Sequence, residues 1–179
     1  MYFDTGVIEL ATPVIEIDRG CAARAGRSLW ESIRFVRREL DAWEQREGHT
    51  VHLAGFSTHY NVSLDTRGAR RGSLSADKLA MLLLHIIPFP VMLLTANRRS
   101  TGIGVRPRPN RIEVTADFTP DASLMIAAAT FIVAVVRDVM AWPSFELDAL
   151  DSIDIPVVRD FVPEPHSSRR GWVARFTSF

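Results

Sequence analysis

Arg111-Ile112-Glu113-Val114-Thr115-Ala116-Asp117-Phe118 alternates strictly between polar and apolar residues. A period of two marks a half-buried β-strand. Arg111, Glu113, Thr115 and Asp117 take one face, and Ile112, Val114, Ala116 and Phe118 take the other. Just upstream, residues 101–106 repeat the pattern with glycines. Gly102, Gly104 and Arg106 fall together, and Ile103 and Val105 oppose them. With Pro107-Arg108-Pro109-Asn110 as the connecting loop, the two strands form a hairpin that sets Arg106 opposite Arg111 and Gly104 opposite Glu113. Residues 49–65 read as a third strand. Ser57, His59, Asn61, Ser63 and Asp65 point one way; Phe56, Thr58, Tyr60, Val62 and Leu64 point the other.

Outward from this sheet the chain supplies helices. Trp30, Ile33, Val36, Leu40 and Trp43 recur at helical spacing, with Ser28 and Glu31 as a capping box and Gly48 as a stop, which predicts a helix over 29–47. Ser75 is placed to cap a helix ending before Pro88. Residues 91–95 read as a strand. Thr119-Pro120 reads as the cap and first position of an apolar helix running to about Trp142, where Pro143 ends it. Residues 6–11 read as a strand broken at Pro13 and extended by 14–17, and 171–179 as one more. The predicted class is α+β: a largely antiparallel, curved sheet with helices on one face and a polar face left open. Residues 1–145 are expected to form the main unit, with 146–179 an irregular extension packed on it.

Composition narrows the partners. A chain of 179 residues with zero formal net charge can bury a sizeable core but carries no overall field to attract nucleic acid or an acidic membrane. Cys21 is the single cysteine, so no intrachain disulfide is possible, which fits a reducing cytoplasm. The apolar run from Leu124 to Val136 is shorter than a membrane span needs, so none is predicted. Lys78 is the single lysine among the basic residues, and the remainder are arginines. Arginine suits bidentate contact with phosphate and carboxylate.

The polar face carries the chemistry. The ordinary alternative is a solvated outer face, but such faces carry lysine, threonine and glutamate mixtures. Here stand His59, Asn61, Glu113 and two arginines beside glycines. Like charges placed opposite each other are unfavourable unless an anion lies between them. Arg106 and Arg111 could therefore contact phosphate oxygens while Glu113 and His59 bind a metal bridging them. Glu9 and Glu16 are candidates for a second metal, reunited on one face by a bend at Thr12-Pro13. No Walker loop, dinucleotide fingerprint or Ser-His-Asp set is evident. A separate anion- or nucleic-acid-binding reading draws on Arg67, Arg70, Arg71, Arg98 and Arg99, against which stands the neutral charge.

In order, these segments resemble the glutamine synthetase and glutamate–cysteine ligase superfamily of ATP-dependent carboxylate–amine ligases, over roughly residues 5–142. Gly6-Val7-Ile8-Glu9-Leu10-Ala11-Thr12-Pro13 looks like the family's acidic strand, which implies Glu9 and Glu16 as metal ligands. Gly55-Phe56-Ser57-Thr58-His59-Tyr60-Asn61-Val62-Ser63 is similar to the stretch whose first histidine binds metal at the ATP phosphates. His59 holds that position, and Asn61 replaces a second histidine. The stretch from Arg98 through Arg106 to Arg111-Ile112-Glu113-Val114 resembles the arginine-rich strand pair. The resemblance implies a site in which His59, Asn61, Ser63, Arg106 and Arg111 hold ATP. Glu9, Glu16, His59 and Glu113 would bind Mg²⁺ or Mn²⁺, and Arg98 would face the substrate. It implies amide formation from a small carboxylate and an amine through an acyl phosphate, with Arg106, Arg111 and Glu113 catalytic. Thr115 stands where the family commonly has a substrate-binding arginine. The family's upstream glutamate-rich strand has no counterpart before Glu9, so the expectation is that the chain is a fragment or that a homo-oligomer or another partner supplies the strand. The alternative is an incomplete subunit that binds a nucleotide or another anion.

Overall fold

The computed structural model describes residues 1–4, 6–64, 75–97, 102–152, 163–166 and 170–174. Among the described residues, two sheets and four α-helices make up a mixed α/β architecture. A hairpin of β1 (Tyr2–Asp4) and β2 (Val7–Glu9) stands apart from the main sheet. The helices are α1 (Cys21–Glu47), α2 (Ala76–Ile86), α3 (Pro88–Thr95) and α4 (Ala122–Met140). The main sheet holds β3 (Ser57–Ser63), β4 (Ile103–Arg108), β5 (Arg111–Asp117), β6 (Glu164–Pro165) and β7 (Trp172–Ala174). Its order is β3-β5-β4-β7-β6, and every pairing is antiparallel.

Alternation places the core. Val62, Ile112, Val114, Ala116, Ile103, Val105 and Ala174 are all buried. They pack with Leu79, Leu82, Leu83 and Ile86 of α2, Val91 of α3, and Ile132, Val136 and Val139 of α4. Phe145 and Leu150 join this core, and β6 and β7 belong to the same sheet as β3, β4 and β5. α1 lies against α4, closely enough that a Cβ on Gly26 would sit 2.8 Å from Ile126. Trp30 meets Phe118 edge-on, with ring centres 6.3 Å apart.

Several local expectations shift. α1 begins at Cys21, a full two turns before the expected start; Ser28 lies inside it, and its carbonyl accepts from the Ser32 hydroxyl at 3.0 Å. Gly48 does end it, in a left-handed conformation (φ 71) that glycine adopts without a Cβ penalty. Ser75 caps α2 as expected, accepting from Asp77 N–H at 3.2 Å. The segment read as a strand at 91–95 is helical: Pro88 takes the first position of α3, where its missing N–H is harmless, and α3 turns 57° from α2. Asp121 replaces Thr119 as the cap of α4 and accepts from Ser123 and Leu124 N–H at 2.7 and 3.0 Å. Residues 14–17 are irregular, and within residues 49–64 the strand is confined to Ser57–Ser63. The apolar run read as too short to span a bilayer lies in a 19-residue helix, α4, that is long and apolar enough by length and composition. In this fold α4 packs against α1, α2, α3 and β3.

Candidate functional site

The hairpin loop is two residues, Pro109-Asn110, rather than four. Asn110 takes φ 58, a left-handed conformation that asparagine tolerates. The shorter loop moves the register by two. Arg106 faces Glu113, Gly104 faces Thr115, and Arg108 faces Arg111. An even shift keeps every side chain on its expected face. It brings in Arg108, assigned from sequence to the loop, and removes the opposition of Arg106 to Arg111. The signal was present: proline followed by asparagine suits the two central positions of a tight turn.

Across the sheet, β3 aligns His59 with Thr115, Asn61 with Glu113 and Ser63 with Arg111. The centre of the face is the Glu113 carboxylate. Arg108 donates to both of its oxygens, from Nε to Oε2 at 3.1 Å and from Nη2 to Oε1 at 3.2 Å. Arg106 Nη2 forms an ion pair with Oε1. Arg106 and Glu113 are only 3% and 5% exposed. Gly171 (φ 128) explains part of that burial: its Cα lies so close that a Cβ there would sit 2.6 Å from Arg106 Cγ. Arg111 and His59 remain exposed, with Arg108 between these extremes. Arg111 Nε donates to Asn61 Oδ1 at 2.8 Å. At the other end of β5, Asp117 is buried and its Oδ2 meets no hydrogen-bond donor among the described residues.

The expectation of ligand space above Gly104 is corrected. Its neighbour is Thr115, and a Cβ on Gly104 would lie 2.3 Å from the Thr115 hydroxyl, so Thr115 fills that volume.

Burial alone would push the Glu113 carboxyl upward. The Arg108 hydrogen bonds and the charges of Arg106, Arg108 and His59 outweigh it and hold the group below the usual carboxylate range. Folding therefore favours the ionised form. Its stabilisation is fully present above the unfolded carboxyl's pKa of about 4.3 and is lost as pH falls through the lower folded value. Urea midpoints measured from pH 7 downward are expected to fall more steeply below about pH 4.3 in the native chain than in Glu113→Gln.

The structure gathers Arg106, Arg111, Glu113, His59, Asn61 and Ser63 on one face, with Arg108 added. It does not bring the expected metal set together. Glu9 lies in the separate β1–β2 hairpin, paired with Tyr2. The chain then runs past α1, where Leu10 and Ala11 border a cleft with Ser28, Phe35 and Val36. Glu16 is exposed beside Arg24, which donates to its carbonyl at 3.1 Å. Among the described residues no three His, Cys, Asp or Glu side chains are grouped to hold a metal ion. Arg98, and likewise Asp65, Arg67, Arg70, Arg71 and Arg99, lie outside the described residues. No protein-family model, curated protein or solved structure matches the chain.

Proposed function

We propose that the arginine end of this face binds a phosphate-bearing anion, with a nucleotide polyphosphate such as ATP as its first candidate. One observation carries the reading: Arg106 and Arg108 both engage the Glu113 carboxylate, and Arg111, opposite Arg108 on the same face, turns to Asn61 instead. Of the three guanidinium groups, Arg111 is exposed and Arg108 half-exposed, so both present positive charge at the surface of the face. Guanidinium groups in that setting match phosphate oxygens in pairs.

The narrower proposal is that this is the nucleotide-holding face of an ATP-dependent carboxylate–amine ligase with a glutamine synthetase-like catalytic domain. Its support is the order of the motifs along the chain. In that chemistry Arg108 and Arg111 would neutralise the γ-phosphate as a substrate carboxylate oxygen attacks its phosphorus, breaking the bond to the β,γ-bridging oxygen so that ADP leaves and an acyl phosphate remains. An amine would then displace phosphate from the acyl phosphate, a reaction that depends on charge neutralisation and alignment. The Mg²⁺ or Mn²⁺ that the resemblance implies does not fit the residues present. Both Glu113 oxygens are engaged by guanidinium groups, and the charges of those groups repel a dication placed beside them. No step is therefore assigned to a metal here, and carboxylates for one belong to a partner chain in this proposal.

Calorimetric titration with ATP, inorganic triphosphate and adenosine tests the first proposal. ATP and triphosphate are expected to bind, and adenosine is not. Arg111→Ala should weaken binding about tenfold, the worth of one charged hydrogen bond. Equal affinity in the native chain and the variant removes the reading. ADP release that depends on an added carboxylate and amine tests the ligase proposal separately.

A further inference from the structure

The two edges of the main sheet are built differently. β6 is two residues long and consists of a charge and a proline, Glu164-Pro165. Short length, charge and proline are the usual devices that stop one sheet from adding to another. β3, at the opposite edge, has none of them. Its seven residues, Ser57-Thr58-His59-Tyr60-Asn61-Val62-Ser63, include no lysine, arginine, carboxylate, proline or glycine. Its register with β5 runs from Ser57–Asp117 to Ser63–Arg111 without a bulge. Among the described residues no strand pairs with its outer side. Ser57, His59, Asn61 and Ser63 are all exposed, and Phe56, just before the strand, is 73% exposed.

We infer that the outer edge of β3 pairs antiparallel with the same edge of a second copy, about a two-fold axis at Tyr60, making one continuous sheet. The axis position follows from the side chains. Residues directly opposite in an antiparallel pair share a face. A two-fold axis normal to the sheet must therefore pass through a residue, so that polar meets polar and apolar meets apolar. Centred on Tyr60, the whole of β3 overlaps. Ser57 faces Ser63 of the second copy, Thr58 faces Val62, and His59 faces Asn61. One step beyond the strand, exposed Phe56 faces half-buried Leu64. Centring on His59 instead would oppose two histidines and shorten the overlap.

The pairing joins the two polar faces on one side of the sheet. Asn61 holds Arg111 at 2.8 Å, so the second copy's strand would place a histidine beside that pair. The arginine clusters of both copies would then flank one continuous surface. The surface goes beyond the anion-binding proposal and does not depend on it.

Sedimentation of the full chain over a range of concentrations is the test. The native chain is expected to form a reversible dimer. His59→Lys combined with Asn61→Lys sets lysine against lysine twice across the axis and should weaken the dimer at least tenfold, with the circular dichroism spectrum unchanged. His59→Glu combined with Asn61→Lys sets opposite charges at the same two places and should restore it. A native chain that stays monomeric overturns the inference. So does a dimer that the double lysine variant leaves intact, or one that the charge swap fails to restore.

Discussion

Replacing Glu113 by glutamine is expected to lower stability by about 3–5 kcal/mol, on the order of 10 °C in Tm. The change keeps the shape of the side chain but removes the charge that Arg106 and Arg108 share. Arg106 has 4% of its side chain exposed, so its guanidinium cannot turn to water for compensation. Breaking one side of a buried pair is costly because the remaining buried charge loses its carboxylate. The double change Arg106→Met with Glu113→Leu removes both charges together and is expected to recover most of the loss. Thermal unfolding followed by circular dichroism checks both. A Glu113→Gln chain that melts with the native one would mean that the arginines are compensated elsewhere.

Leu83→Ala should produce an effect of similar size from a different cause. Leu83 is fully buried on α2, in the cluster that joins the helices to β4 and β5. Truncation loses the transfer free energy of three carbons and leaves a cavity, together about 2–5 kcal/mol. Phe35→Ala on α1, where the ring is 49% exposed, is the matching control and should shift stability far less. Chemical denaturation of the three chains gives the comparison directly.

Faces were easier to read from sequence than positions along them. The alternation of Tyr60 and Val62 against His59 and Asn61, and of Ile112 and Val114 against Glu113, reports a property with a period of two, which survives any even error in register. The hairpin loop is two residues shorter than the sequence suggests, so the polar set stays on its face while each β4–β5 partner changes. Arg106 gained Glu113, and Arg108 entered the cluster. Residues 91–95 misled for another reason: a short apolar run has no period long enough to separate strand from buried helix, and Pro88 as a first helical residue was the deciding cue. The start of α1 was missed because Ser28 and Glu31 have capping spacing, whereas Gly20, which carries no side-chain cap, marks the actual boundary. That Glu9 and Glu16 do not join His59 and Glu113 in one metal-holding group could not be read from local pattern, since it depends on where the separate β1–β2 hairpin places the chain. The burial of Arg106 beneath Gly171 is a contact between residues 65 apart in sequence, for which neither segment carries a local sign.

The place of β7 beside β4 has a consequence for the nascent chain. β3, β4 and β5 can zip together once Asp117 has left the ribosome, but the second partner of β4 is Trp172–Ala174, more than fifty residues later. At about 5–20 residues per second, the growing polypeptide spends several seconds with the Ile103–Arg108 backbone unpaired on that side. During translation, then, a second adhesive strand is on display besides β3, and any pause before residue 172 would lengthen the interval in which neighbouring polysomal chains can capture it.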